Sequence, residues 1–212
     1  MKSLRFTLVS EGSSDRALLP VIAWSILDHR EDLRFVTQWA DLRSLRSTPK
    51  DLGEKLKVAV ELYPCDLLLV HRDSDRTTRA KRVDEIQRAL DKVENPPAVC
   101  VIPVRMLEAW FLFDESAIRR VAGNPRGEAP LDLPAMARVE KIPDPKKLLH
   151  EALREASDSS GRRRRRLSRV KSPVRRIAEL IEDFSPLRNL GAFADFERDL
   201  QARLDELLEF VP

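Results

Sequence analysis

The sequence DLLLVHRDSDR, residues 66–76, is an apolar run that ends in two aspartates within a basic neighbourhood. Its unbroken apolar centre predicts a strand that is buried on both faces, which is typical of parallel sheets. Asp73 and Asp75 follow the end of this strand. Two interpretations of these aspartates are open: they cap the next helix, or they hold a metal ion that faces a polyanion.

Three further strand-like runs surround this segment. Together the four predicted strands span residues 4–10, 35–40, 66–72 and 98–104. Apolar residues at helical spacing follow each of the first three strands. The alternation of strands with helices predicts an α/β fold, in which helices flank a mostly parallel four-stranded sheet.

Changes in composition divide the chain into three parts. We expect residues 1–122 to form an α/β core. Residues 123–145 hold five prolines and two glycines, which predicts a loop or lid with at most short helical pieces. Residues 146–212 predict a basic, helical C-terminal region that packs on the core. Two of its helices are predicted from apolar faces, one spanning residues 174–184 and one spanning residues 193–207.

The composition is that of a globular chain with a heavily charged surface. Of 212 residues, 42% are hydrophobic and 34% are charged, with a net charge of +3. The two cysteines lack a CxxC spacing or a nearby metal-type histidine pattern, so neither a zinc site nor a disulfide framework is indicated. No run approaches the roughly 18 apolar residues of a membrane span, and the first residues are too polar for a signal peptide. We therefore expect a cytoplasmic protein.

Carboxylates follow three of the predicted strands: Glu11 and Asp15 the first, Asp73 and Asp75 the third, and Glu108 the fourth. In open α/β sheets ligands bind beyond the carboxyl ends of the strands, so we expect these side chains at one edge. Carboxylate oxygens suit Mg²⁺ or Mn²⁺, and paired ions stabilise both the attacking and the leaving oxygen of a phosphodiester displacement. The sequence predicts a site for one or two such ions.

Each acidic motif taken alone is also explained as a turn or a helix cap, because Asp and Ser are favoured there. Their joint placement at one sheet edge favours the metal interpretation. His71 lies two residues before Asp73 on the same strand face. It either orients Asp73 or acts as a general base, and both roles stay open.

A dense basic segment lies near the C-terminus. Arginine pairs with phosphate through two hydrogen bonds, and each neutralised phosphate releases counterions, so this segment suits nucleic-acid backbone binding. A solvated loop is the alternative. Lys146, Lys147 and Lys171 are candidates for stabilising the phosphate during reaction or positioning the attacking water, with plain solvent exposure as the alternative. The predicted nucleic-acid-binding residues are Arg162, Arg163, Arg164, Arg165, Arg166, Arg169, Arg175 and Arg176.

Three motifs together resemble the Toprim fold of topoisomerases, primases and OLD-type nucleases. They are LVSEGSSDRALLP (8–20), LLLVHRDSDR (67–76) and VIPVRMLEAWFLFD (101–114). The Toprim pattern has a glutamate after the first strand and a DxD after the third. OLD-like proteins add an acidic residue four positions past the glutamate. A group of small bacterial Toprim-like proteins also carries an ExW segment, matched here by Glu108 and Trp110.

The resemblance implies Mg²⁺- or Mn²⁺-dependent phosphodiester hydrolysis of nucleic acid, with DNA favoured over RNA. It implies that Asp73, Asp75 and Glu11 hold the first ion, while Asp15 and Glu108 assist or hold the second. Glu11 is alternatively a general acid or base.

The chain also departs from the family. It lacks a GxxxxGK[ST] phosphate loop, so control by ATP would require an ATPase partner subunit. Its single tyrosine, Tyr63, is predicted to lie in a packed helix, which argues against topoisomerase strand passage. One alternative is a non-cleaving nucleic-acid-binding or regulatory subunit of a larger, phage-defence complex. Another is an enzyme that acts on small phosphate compounds.

Overall fold

The computed structural model describes residues 3–43, 45, 47, 49–94, 96–157 and 172–209. Neighbouring strands in its sheet are all parallel, in the order β2-β1-β3-β4. The prediction of a parallel four-stranded α/β sheet is confirmed, with each strand at least one residue shorter than expected. The strands are Leu4–Val9 (β1), Phe35–Trp39 (β2), Leu67–His71 (β3) and Ala98–Val101 (β4).

Helices follow the strands as predicted, and several begin at capped residues. Asp51, Thr78 and Asp144 each accept a hydrogen bond from a backbone N–H in the first turn of the helix that follows. In the part of the chain described here, no helix combines the length and apolar character needed to cross a membrane. The helices are Leu18–His29 (α1), Leu52–Leu62 (α2), Arg79–Leu90 (α3), Glu115–Val121 (α4), Met136–Val139 (α5), Pro145–Ala156 (α6), Pro173–Ala178 (α7) and Gly191–Glu209 (α8), and 3-10 turns span Ser13–Ala17, Leu107–Phe111 and Ser185–Asn189.

The sheet is covered on both faces. Leu67 and Leu69 point into one core cluster, which includes residues of α1 and of the C-terminal helices. Leu68 and Val70 point into the other, which α2 and α3 complete. Every residue of β3 is buried, as its unbroken apolar sequence predicted.

The C-terminal helices belong to the same core as the sheet. Helix α8 contacts β4 and α1, and α6 contacts the 3-10 turn Leu107–Phe111. Trp110 in that turn is fully buried, with ring centroids 5.3 Å from Phe193 and 6.0 Å from Phe196. This aromatic cluster joins the segment after β4 to α8.

The helix predicted over residues 174–184 is wrong in length, because α7 ends at Ala178. Beyond α7 the chain leads to the 3-10 turn Ser185–Asn189, which contains Pro186. Ile181 and Phe184 remain buried, and the Phe184 ring contacts Trp24 of α1. Apolar periodicity does not distinguish a continuous helix from a helix and a turn that bury the same side chains.

Replacing Trp110 with alanine is expected to lower the free energy of unfolding by about 3–5 kcal/mol, because it leaves a cavity between the sheet and α8. Urea unfolding followed by circular dichroism measures the loss. Leu27→Ala on α1 is the control, since that side chain is 46% exposed and its loss should cost under about 1 kcal/mol. Equal losses for the two variants would contradict the assignment of Trp110 to the core.

Candidate functional site

The carboxyl ends of β1 and β3 form the switch point of the sheet. The chain leaves β1 for β2 on one side, and β3 pairs with β1 on the other side. A crevice forms where the direction of the connections reverses, and ligands of open α/β sheets bind there. Asp15 lies in the turn after β1, and Asp73 follows β3 by two residues. The fold therefore brings the two predicted acidic motifs to the position where a ligand is expected.

Three side chains form the centre of this crevice. His71 Nε2 lies 3.6 Å from Asp73 Oδ1 and 3.9 Å from Asp15 Oδ2. His71 is 1% exposed and Asp15 is also buried, whereas the Asp73 side chain is 21% exposed. Solvent and a ligand can thus reach the cluster at Asp73.

Glu108 is a fourth member of this cluster, and the crowding of carboxylates changes the acidity of Asp73. Burial and the nearby carboxylates of Glu108, Asp15 and Glu11 raise the pKa of Asp73 to about 8. Burial also raises the pKa of Glu108, while Lys146 on α6 lowers it. A cation in the crevice would offset both the desolvation and the mutual repulsion of these groups.

Backbone N–H groups hold two carboxylates of the cluster in place. Asp15 Oδ2 accepts hydrogen bonds from Gly12 N at 2.8 Å and Glu11 N at 3.1 Å. Asp73 Oδ1 accepts one from Leu107 N at 2.9 Å. The cap interpretation therefore holds for Asp15, which closes its own turn.

The cap interpretation fails for the aspartates after β3. The residue that caps α3 is Thr78, whose side chain accepts from Lys81 N. Neither Asp73 nor Asp75 is therefore required to start that helix.

The loops after β3 and β4 adopt strained backbone and are joined to each other. Asp75 has φ 52° and Arg105 has φ 64°, the left-handed region that disfavours residues with a side chain. Asp75 N donates to Arg105 O at 2.9 Å, and Arg105 N donates to Ser74 Oγ at 2.8 Å. These hydrogen bonds offset a strain of about 1 kcal/mol or more per residue. The loop that carries Asp73 is thereby fixed to the loop that leads to Glu108.

A chain of alternating charges, here called the rim chain, lies next to the buried cluster. It runs Glu11, Arg72, Glu85, Arg82, Asp75, with successive nitrogen–oxygen distances of 2.9, 3.1, 2.7 and 2.9 Å. The structure thus brings Asp15, Asp73 and Glu108 together. It places Glu11 and Asp75 in ion pairs with arginine, although Glu11 is close enough to contribute to the raised pKa of Asp73.

The donor groups of the cluster are of the chemical types that divalent cations bind. Hard ions take carboxylate oxygens, and first-row transition ions also take imidazole nitrogen. Within the described residues, no three or more His, Cys, Asp or Glu side chains form a group that could by itself hold a metal ion. Water and phosphate oxygens would therefore have to supply part of any coordination shell, as is usual for Mg²⁺ at phosphate-binding sites.

The predicted basic residues are only partly described. Arg175 and Arg176 both pair with Glu179, and Lys146 is exposed on α6. The other predicted basic residues lie outside the described residues; they are Arg162, Arg163, Arg164, Arg165, Arg166, Arg169 and Lys171.

Sequence reasoning missed several charged residues near the crevice. Arg72 and Glu85 complete the rim chain, and His150 lies close enough to Glu108 to lower its pKa. His150 had a usable signal, since it lies four residues after Lys146 and so on the same helical face. The sequence carries no comparable signal for Glu85, because its contact with Arg72 depends on how α3 packs.

A basic aromatic surface at the end of β2 was also missed. The guanidinium groups of Arg16 and Arg43 lie 5.4 and 4.9 Å from the ring centroid of Trp39. Trp39 Nε1 donates to Ser10 Oγ at 2.9 Å, which ties this surface to the turn after β1.

Comparison of the chain with protein-family models, with curated proteins and with solved structures found no match. The resemblance to Toprim proteins accordingly stays a prediction from sequence motifs.

The raised pKa of Asp73 predicts a pH-dependent stability in metal-free protein. Between the ordinary value near 4 and about 8, the folded state binds a proton that the unfolded state has lost, so stability falls as pH rises through this window. Asp73→Asn has no such proton to lose. Urea unfolding is measured in EDTA at pH values from about 5 to about 9. Over this range the free energy of unfolding of wild type should fall by a few kcal/mol relative to that of the variant.

Asp84→Asn is the matched control, because Asp84 is exposed on α3. Its unfolding free energy should follow that of wild type at every pH. Parallel curves for wild type and Asp73→Asn would show that Asp73 ionises freely in the folded protein.

Proposed function

We propose that the chain is a metal-dependent phosphodiesterase that hydrolyses nucleic acid, with DNA as the favoured substrate. The observation that carries this proposal is the cluster of Asp15, Asp73 and Glu108 at the switch point of a parallel sheet. Burial and repulsion there raise the pKa of Asp73 to about 8. Carboxylates gathered in this way bind hard divalent cations, and such cations bind phosphate.

Asp15, Asp73 and Glu108 would hold Mg²⁺ or Mn²⁺. When bound, such an ion polarises a phosphoryl oxygen and lowers the pKa of a coordinated water. The side chain of Glu11, 42% exposed, would accept a proton from the attacking water or return one to the leaving oxygen. Arg72 orients Glu11 through their ion pair.

Positive groups around the cluster suit a polyanionic substrate. Lys146 is exposed on α6 near Glu108, where an ammonium would stabilise charge that develops on the phosphate oxygens. Arg16 and Arg43 flank Trp39, and an aromatic ring beside guanidinium groups suits a nucleotide chain. The arginine-rich sequence 162–166 adds phosphate-binding capacity.

The alternative function is a non-cleaving nucleic-acid-binding or regulatory subunit. One observation favours it: Glu11 and Asp75, which the sequence motifs assign to metal binding, are each neutralised by an arginine. A site that lacks these two metal ligands can bind nucleic acid without catalysing its cleavage.

A cleavage assay tests the proposed function. Supercoiled plasmid, linear duplex, single-stranded DNA and RNA are incubated with wild type in Mg²⁺ or Mn²⁺. We expect metal-dependent cutting of at least one substrate, with Asp73→Asn reduced to the level of a protein-free control because it loses a carboxylate ligand. Asp84→Asn, a substitution of the same chemistry on the exposed face of α3, should cut like wild type.

Equal cutting by wild type and Asp73→Asn would place the activity in a contaminant or at another site, and so would overturn the assignment. No cutting by any variant, combined with DNA binding that persists in EDTA, would favour the regulatory subunit.

Replacing Arg162 to Arg166 with glutamine tests the proposed polymer substrate. If these side chains bind phosphates, the slope of log affinity for duplex DNA against log salt falls by about 0.9 for each phosphate that the variant no longer neutralises. Hydrolysis of a small phosphodiester, bis(p-nitrophenyl) phosphate, should not change. If neither the DNA affinity nor its salt dependence changes, the result would instead favour the alternative that the chain acts on small phosphate compounds.

A further inference from the structure

A cavity of about 260 Å³ lies beside the 3-10 turn Ser13–Ala17. Its walls come from α1, β2 and α7, and Arg16 of the turn lines it. Leu19, Pro20 and Ala23 of α1 give it one apolar wall. The cavity is smaller than the roughly 300–1,000 Å³ of pockets that enclose a drug-sized ligand, so it suits a single ring system.

Arg16 is a cation without a counter-ion. Among the described residues its guanidinium makes no hydrogen bond and no ion pair, and its Nε is buried. A guanidinium carries five N–H donors, and the anions that match its planar fork are phosphate and carboxylate. Arg16 thus has unused donors for such an anion next to the cavity.

Two carboxylates near Arg16 are already paired with other arginines. Asp41 is close enough to feel the charge of Arg16, but both of its oxygens accept from Arg43, at 2.8 and 2.6 Å. Glu179 lines the cavity and pairs with Arg175, which lines it as well. The positive charge of Arg16 is therefore left for a ligand.

Trp39 holds the Arg16 side chain without neutralising it. The guanidinium carbon lies 5.4 Å from the centroid of the Trp39 ring, within the range of a cation–π contact. The indole N–H in turn donates to Ser10 Oγ at 2.9 Å. A cation–π contact uses no hydrogen-bond donor, so Arg16 is held in place with its N–H groups free. Such preorganisation lowers the cost of binding an anion.

We propose that Arg16 and this cavity, here called the Arg16 pocket, bind one nucleotide of a single-stranded nucleic acid. The phosphate binds the guanidinium of Arg16, and the base lies in the cavity against the apolar residues of α1. A base enters such a cavity only when it is unpaired and unstacked, because the edges and faces of a base in a duplex are covered.

The proposal deepens the proposed function by naming single-stranded nucleic acid as the substrate class. It rests on that function only for the use to which the bound strand is put. Arg16 directly follows Asp15, and successive side chains in a 3-10 turn leave it about 120° apart. Asp15 lies near His71 in the acidic cluster, while Arg16 lines the cavity. A strand bound at Arg16 therefore lies beside the turn that contributes to the cluster.

The test is fluorescence anisotropy of a labelled oligodeoxythymidylate with the full-length protein in EDTA, which separates binding from metal-dependent cutting. The same strand annealed to its complement is the duplex probe. Wild type should bind the single strand at least about tenfold more tightly than the duplex. Arg16→Ala should bind the single strand about tenfold or more weakly than wild type, because it removes a charged donor to phosphate.

Arg88→Ala is the control for the lost charge. Arg88 is exposed on α3, which packs on the opposite face of the sheet from α1. This variant should keep the preference of wild type for the single strand.

A second variant tests the cavity and leaves Arg16 in place. Ala23→Leu extends a side chain from α1 into the cavity, and leucine is a good helix former, so the helix should persist. Because the base loses its place, the affinity for the single strand should fall about fivefold or more. Circular dichroism should match that of wild type.

A third measurement needs no variant and covers the case in which Arg16→Ala disturbs the turn. An oligonucleotide that contains 5-iododeoxyuridine is cross-linked to wild type with ultraviolet light, and the tryptic peptides are identified by mass spectrometry. The label should be found on the peptides that span residues 17–30 or 35–43, which contribute α1 and β2 to the cavity.

Three results would overturn the inference. They are equal affinity of wild type for single strand and duplex, single-strand binding that neither Arg16→Ala nor Ala23→Leu weakens, and cross-links confined to other peptides. A loss of affinity in Arg16→Ala without one in Ala23→Leu would refute the placement of the base in the cavity.

The fate of the proposed function is read separately. Single-strand binding that depends on Arg16, in a protein that cuts no substrate with Mg²⁺ or Mn²⁺, would sustain the Arg16 pocket and refute hydrolysis. Metal-dependent cutting that both variants retain, with unchanged affinity for the single strand, would sustain hydrolysis and refute the pocket.

Discussion

The parallel pairing of β1 with β3 is the contact on which the candidate site depends. It runs from Phe6↔Leu67 to Val9↔Val70, so both strands end at the same edge and side by side. The turn that holds Asp15 and the segment that holds Asp73 must therefore meet. Helices α1 and α2 lie on opposite faces of the sheet, the arrangement in which a crevice is expected between the two strand ends.

The electrostatics of this edge differ between its interior and its rim. In the rim chain every carboxylate has an arginine within ion-pair distance, including Glu11 and Asp75. In the interior, Asp15 and Asp73 are held by backbone N–H groups, which orient a carboxylate but carry no net charge. Among the described residues no lysine or arginine lies within ion-pair distance of Asp15 or Asp73, so an added cation gains most in the interior.

The C-terminal helices contribute to the site as well as to stability. Glu108 and Trp110 lie two residues apart in a 3-10 turn, where successive side chains are separated by about 120°. The two side chains therefore leave the turn in different directions, Glu108 toward the crevice and Trp110 into α8. The aromatic contacts of Trp110 fix the turn, and so they fix the position of the acidic group that the turn carries.

Much of this arrangement follows from the order of residues along the chain. The unbroken apolar run of β3 determined that this strand is central, and the alternation with helices determined a parallel sheet with Asp15, Asp73 and Glu108 at one edge. The position of the Asp75 side chain could not be predicted from the sequence. The backbone of Asp75 adopts φ 52°, and its side chain pairs with Arg82.

The end of α7 and the hydrogen-bond partner of His71 were decided only by the tertiary structure. Patterns in sequence report which side chains share a face, since they arise from the period of the backbone. They do not report which group a side chain meets across the fold. For His71 that group is a carbonyl on β4, thirty residues away, and the other ring nitrogen lies 3.6 and 3.9 Å from two carboxylates.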